Sequence, residues 1–236
     1  VSSAASDVYK RQFVNSSAGT ITMKIGVVIP AHNEEQHLPA CLQSIQDAIE
    51  KVPDEQVEVM VVLDSCTDQS RSIVQSYGVS WIECNYACVG KARDLGIRQV
   101  IQNGATWLAC TDADSIVSPD WLRCQILHQP TDAICGIVTL DDLSRLSVIK
   151  QKKYLSHYQD CMDHHHIHGA NLSFSAAVYM QVGGFEPVPC HEDVSLINKL
   201  IRQCCNITWS NLVRVTTSSR LEGRAPEGLS KFLENL

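Results

Sequence analysis

From Met23 onward, short apolar runs alternate with segments of helical period, and this ordering most limits what the chain can become. "KIGVVIP" opens as a buried strand; "VEVMVVL" (57–63), "VSWIE" (79–83), "TWLACTD" (106–112) and "AICGIVTL" (133–140) follow it. Between them, Leu38, Cys41, Leu42, Ile45, Ile49 and Val52 fall on one helical stripe, and "QSRSIVQSYG", "GKARDLGIRQVIQNG" and "PDWLRCQILHQ" read as three more helices. Pro39 and Pro119 suit first turns, while Gly78 and Gly104 stop the helices that precede them. Strands joined through helices pair in parallel, so the pattern predicts an α/β fold with a mostly parallel central sheet flanked by helices. The second half is less regular: "GANLSFS" reads as a strand, "AAVYMQVGG" and "EDVSLINKLIRQC" as helices, and "NLVRVTT" as a strand. No repeat, linker or second core interrupts this order, and a single domain is expected.

Composition narrows the function classes. At 236 residues, 44% hydrophobic and 19% charged, the chain can bury one sizeable core. No stretch approaches the roughly 18 apolar residues of a membrane span, and no secretory signal is visible, so a cytoplasmic protein is expected. A net charge of −7 argues against a general nucleic-acid surface and for a small-molecule partner. Eleven cysteines without a CxxC pair read as reduced core thiols. The cluster "DHHHIH" (163–168) lacks a second ligand group at zinc spacing and reads as a loop or helix end.

Residues 1–22 are set apart as a leader. "DVYKRQ" (7–12) is what GAT GTG TAT AAG AGA CAG encodes, and that string resembles the end of a transposon used to build sequencing libraries. The natural start is expected at Met23, with the domain over 23–216 and a C-terminal loop and short helix over 217–236.

Ligands of open α/β sheets bind outside the carboxyl ends of the strands, where "AHNEE" (31–35), "DSCTD" (64–68) and "TDADS" (111–115) lie. In extended backbone Asp112 and Asp114 point together, away from Ala113, and two convergent carboxylates call for a hard cation such as Mg²⁺. The same acids would also serve as caps or turn formers. Asp64 can accept from a base N–H or close an Asx turn. Lys91 and Arg93 are expected on one side of a helix start, to neutralise a diphosphate, to hold Asp112, or to form a solvated face. Glu192 and Asp193 open a helix, where the dipole alone favours acids.

The order of these motifs resembles glycosyltransferase family 2. "VVIPAHNEE", "VVLDSCTDQS", "GKARDLGI", "TDADS" and "GANLSF…GGF…HEDVSL" match its successive elements from about Lys24 to Asp193. The resemblance implies a Rossmann-like GT-A fold and a soluble enzyme that moves one sugar from a nucleotide-diphosphate sugar to an acceptor hydroxyl, with inversion and Mg²⁺ or Mn²⁺. It implies Pro30, Ala31, Asn33 and Glu34 around the nucleotide and Asp64 on the base. Asp112, Ala113 and Asp114 become the D-x-D element, with Asp112 and Asp114 on the metal. Asn171 would bond sugar hydroxyls, and Asp193 and Glu192 would be the catalytic pair, with Asp193 as the base. From the residues themselves, Arg220 and Arg224, four positions apart with two glycines nearby, are expected on a loop that closes on the diphosphate or on an ordinary solvated tail. Two departures stand out: Leu63 and Ser65 replace the usual Asp and Gly of the second motif, and Asp94 replaces an Asn. A sugar-phosphate nucleotidyltransferase and a non-catalytic nucleotide-sugar-binding domain are the alternatives. The first wants a Gly-rich basic loop that "PAHNEEQHLP" lacks, and the second is disfavoured by the acids.

Overall fold

The computed structural model describes residues 23–220 together with Lys231 and Leu233. The leader, Arg224 and most of the C-terminal segment lie outside the described residues. The first half follows the sequence pattern closely: β1 (Lys24–Ala31), α1 (Leu38–Ile49), β2 (Gln56–Asp64), α2 (Ser70–Tyr77), β3 (Ser80–Cys84), α3 (Val89–Gln102) and β4 (Trp107–Cys110). After it come β5 (Ser115–Val117), α4 (Trp121–Leu127), β6 (Ala133–Leu140), α5 (Val148–His157), β7 (Leu172–Ser175), α6 (Ala176–Gln181), α7 (Glu192–Arg202) and β8 (Ile207–Thr217). The short β5 and the helix α5 are absent from the sequence reading: three residues give no periodic signal, and α5 leaves Val148, Ile149 and Leu155 exposed instead of showing a buried stripe.

Eight strands form one sheet in the order β3-β2-β1-β4-β7-β6-β8-β5. The first four are mutually parallel, as expected for strands joined through helices. β7 runs antiparallel to both β4 and β6, so the sheet is mixed at its centre; β8 is again parallel to β6. Along β1 the side chains alternate: Ile25, Val27, Ile29 and Ala31 join the core under α1, α2 and α4, while Val28 joins the core under α3, α6 and α7. The molecule is thus three layers, helix–sheet–helix.

One contact positions the site directly. A Cβ on Gly96 would lie 2.6 Å from Val28 and 2.7 Å from Val62, so only glycine lets α3 press onto β1 and β2. That close seat carries the first turns of α3, with Arg93, into the interior.

Candidate functional site

The loops after β1 and β2 are stitched to one another by polar contacts that fix their shape. Asn33, at φ 52°, accepts from the Thr67 N–H at 2.7 Å. Glu34 donates its N–H to Ser70 Oγ at 3.0 Å, and Glu35 exchanges bonds with the Asp68 and Gln69 region. His32 Nδ1 lies 2.6 Å from the Asp64 carbonyl. Pro30 and Ala31 are buried at the end of β1, so they border this loop through backbone atoms.

Asp64 closes a neighbouring loop. Its Oδ1 accepts from the N–H groups of Tyr86 (2.7 Å) and Ala87 (3.0 Å), and its Oδ2 from that of Cys88 (3.1 Å). Burial alone would raise its pKa, but these three donors and the Ser65 hydroxyl hold the carboxyl below its ordinary range. The geometry therefore gives Asp64 the turn-closing role directly.

Arg93 is the centre of the arrangement. It is 1% exposed and carries an ion pair on each side: Nη2 to Asp112 Oδ1 at 2.7 Å and Nη1 to Glu192 Oε1 at 2.5 Å. Phe185 lies under the guanidinium at 5.4 Å, and Gly169 leaves it room, since a Cβ there would come within 2.8 Å of Nη1. Lys91 does not share this side. It is exposed and sits over the Tyr86 ring at 5.9 Å. Residues two apart on a helix point in nearly opposite directions, which corrects the expected common face.

Asp112 and Asp114 follow β4 in a turn closed by the Ser115 N–H on the Asp112 carbonyl at 3.1 Å, which corrects the expected extended backbone; within it Ala113 is turned into the core at 2% exposure. Asp114 is paired with Arg220, whose Nη2 lies 2.9 Å from its Oδ2, and Arg220 also grips Glu34 through two bonds of 3.0 and 2.7 Å. Burial and the charge of Asp112 push the Asp114 carboxyl up to about 6, against the pull of Arg220. Arg220 is thus engaged with carboxylates. Asp141, which the sequence reading passed over, anchors this segment by accepting from the Ser219 N–H at 2.8 Å. Its only sequence signal was its place just after a strand.

Asp193, in the first turn of α7, accepts from the Gly169 N–H at 2.7 Å and the Val194 N–H at 2.8 Å. Burial and then the Glu192 charge raise its pKa, against Arg93 and those two donors. Glu192, 6% exposed, is occupied by Arg93 and serves as its counter-charge; the expectation that it acts in catalysis is corrected by that pairing. Asn171 is corrected too. At 1% exposure its Oδ1 accepts from Trp121 Nε1, and its Nδ2 donates to the Ile137 and Val213 carbonyls, leaving no donor for a sugar hydroxyl. Asp94 uses both oxygens, accepting from the Tyr179 hydroxyl (2.6 Å) and Arg98 Nε (2.7 Å).

The histidine cluster forms a ring stack. Tyr158 lies on His166 at 4.2 Å with planes 3° apart, and its hydroxyl meets His168 Nε2 at 3.2 Å. Burial, then the neighbouring imidazoles, push His168 down to about 4. Among the described residues no group of three or more His, Cys, Asp or Glu is gathered to hold a metal ion, and the eleven cysteines are free thiols. A cavity of about 400 Å³ runs along the outer side of α7, past Ser195, Asn198, Lys199 and Arg202. A smaller one of about 100 Å³ lies beside Asp114, Asp141 and Thr217.

Residues 26–180 match the profile of glycosyl transferase family 2. The chain belongs to that family. Among curated relatives, the poly(ribitol-phosphate) beta-N-acetylglucosaminyltransferase TarS of Staphylococcus aureus is 30% identical over 107 residues, which is 43% of this chain and 18% of TarS. Glycosyltransferase GlyA of Streptococcus pneumoniae is 30% identical over 105 residues, 42% of this chain and 14% of GlyA. The chain therefore spans less than a fifth of either relative. The solved structure of TarS 1–349 in complex with UDP-GlcNAc superposes with a TM-score of 0.67 at 19% identity, covering 86% of this chain and 60% of that one. The mannosyltransferase PcManGT of Pyrobaculum calidifontis, in complex with GDP-Man and Mn²⁺, gives 0.64 at 18% identity over 93% of this chain and 64% of its own. These likenesses establish the GT-A fold of the family. Among the described residues no helix is long and apolar enough to cross a membrane.

Proposed function

We propose that this family 2 chain moves one sugar from a nucleoside-diphosphate sugar to an acceptor hydroxyl, with inversion at the anomeric carbon and with Mg²⁺ or Mn²⁺. The observation that carries this reading is the two-sided grip of Arg93. By holding Asp112 on one side and Glu192 on the other, it ties the D-x-D loop to the helix that begins with Asp193. Fixed relative placement of donor-binding and proton-accepting groups is what a single displacement needs. Relatives of the same fold were solved with UDP-GlcNAc and with GDP-Man and Mn²⁺, which supports a nucleotide sugar as donor.

The residues fit a divalent ion of the hard class. Asp112 keeps 35% of its side chain exposed and uses one oxygen on Arg93, and Asp114 borders a small cavity together with Asp141 and Thr217. Among the described residues no group of three or more acids, His or Cys is gathered to hold an ion, so one bound by these two carboxylates would complete its coordination with phosphate and water. Bound there, such an ion would neutralise the diphosphate and the charge that builds on its leaving oxygen. Asn33 and Glu34 border the nucleotide loop, Arg220 lies within reach of the same acids, and Arg224 is assigned to the diphosphate with it.

In the reaction, the acceptor oxygen forms a bond to the anomeric carbon as the carbon–phosphate oxygen bond breaks, and the hydroxyl proton passes to Asp193. The raised pKa of Asp193 makes it a stronger base than an ordinary carboxylate, and the Gly169 N–H fixes its direction. Asp193→Asn is expected to retain donor binding and lose about 10²–10⁴-fold in transfer rate. Asp114→Ala is expected to weaken Mn²⁺-dependent donor binding, read as the thermal shift produced by UDP- and GDP-sugars. Activity of both variants equal to wild type would reject the reading.

A further inference from the structure

Each acid of the D-x-D element is faced by its own guanidinium, and the two arginines are held very differently. Arg93 on Asp112 is 2% exposed in its side chain, rooted in α3 and pinned by Glu192 on its far side. Arg220 on Asp114 is 27% exposed, three residues beyond the end of β8, and among the described residues its ion-pair partners are Glu34 and Asp114. The backbone beneath it is anchored independently, by Ser218 N–H to the Asp114 carbonyl at 3.2 Å and Ser219 N–H to Asp141 Oδ1 at 2.8 Å. Its side chain can therefore leave the acids without unravelling the segment, whereas that of Arg93 cannot.

We propose that Arg220 is a resident counter-cation of Asp114 that a divalent ion must displace, and that the diphosphate of the donor receives the displaced guanidinium. The inference rests on the metal and diphosphate site proposed above. Asp114 is 15% exposed and Glu34 5%, so both carboxylates need a cation close by, and Arg220 serves both at once. An ion arriving alone would gain Asp114 but would separate Arg220 from that acid and set a second cation beside it. An ion arriving with a nucleoside diphosphate brings phosphate oxygens that match the planar fork of the guanidinium, so the lost pairing is replaced by an equivalent one. Metal and nucleotide should consequently bind with positive coupling, and by linkage each raises the affinity for the other by the same factor.

The test is Mn²⁺ binding to the full chain, followed by the electron paramagnetic resonance of free Mn²⁺, without nucleotide and with UDP or GDP. Wild type is expected to bind Mn²⁺ alone weakly and to gain strongly with one of the two nucleotides. Arg220→Met is expected to bind Mn²⁺ alone about tenfold more tightly, with the gain from nucleotide reduced by a similar factor. Because that variant also takes the guanidinium from Glu34, which keeps His37 Nδ1 at 3.0 Å, the double variant Arg220→Met with Glu34→Gln is the second probe and is expected to behave alike. If wild type shows the nucleotide-enhanced binding and neither variant tightens Mn²⁺ alone, the role of Arg220 is overturned while the site reading survives. If wild type binds no Mn²⁺ with either nucleotide, both are overturned.

Discussion

At the scale of single residues, the arrangement turns on Arg93, because it is the group whose loss would leave two acids without compensation. Asp112 and Glu192 are paired through its two terminal nitrogens, and removal of one partner from a buried ion pair is strongly destabilising. Arg93→Met is expected to cost about 3–5 kcal/mol in urea-induced unfolding. Lys91→Met, two residues earlier on the exposed side, should stay within about 0.5 kcal/mol. Arg93→Lys would not rescue the variant, since a point charge cannot span both acids as the planar fork does. Equal midpoints for Arg93→Met and wild type would show that the triad contributes nothing. The sequence made Arg93 visible as a cation near a helix start. It could not show that Arg93 points inward and Lys91 outward, because that depends on which stripe of α3 the sheet covers.

At the scale of elements, the loops at the carboxyl ends of the strands are organised by acids that accept backbone N–H groups. Asp64, at the end of β2, gathers the three amides of residues 86–88 between β3 and α3. Its folded pKa lies below the ordinary 3.8, so its contribution is present above that value and is lost as pH falls through the lowered one. Asp64→Asn is expected to be less stable than wild type at pH 6, and the gap should close progressively below about pH 4 in unfolding measured across a pH series. A gap independent of pH would place the effect elsewhere. The loops themselves were legible, since Asn, Asp and Ser clusters at strand ends are strong turn signals. β5 and α5 were not, the first for its length and the second because its apolar residues lie outward.

At the scale of the whole molecule, Asn171 joins parts that the chain order keeps apart: α4 through Trp121, β6 through Ile137 and β8 through Val213. Gly136 gives it room, since a Cβ there would meet the Asn171 side chain. Asn171→Ala is expected to lower stability by at least about 2 kcal/mol by leaving buried carbonyls and an indole N–H unpaired, measured by thermal unfolding. A variant with wild-type stability but a raised KM for donor would instead restore the sugar-binding role. The sequence by itself determined the alternation of strands and helices through β4, the loops that bear the acids and the family, because periodicities of 2 and 3.6 and the order of motifs are local properties of the chain. Only the tertiary structure decided the partners: Arg93 meets residues 19 and 99 positions away, and Arg220 meets Glu34 across 186. Charges pair by proximity in space and by shared exclusion of water, and no local pattern in the chain encodes either distance.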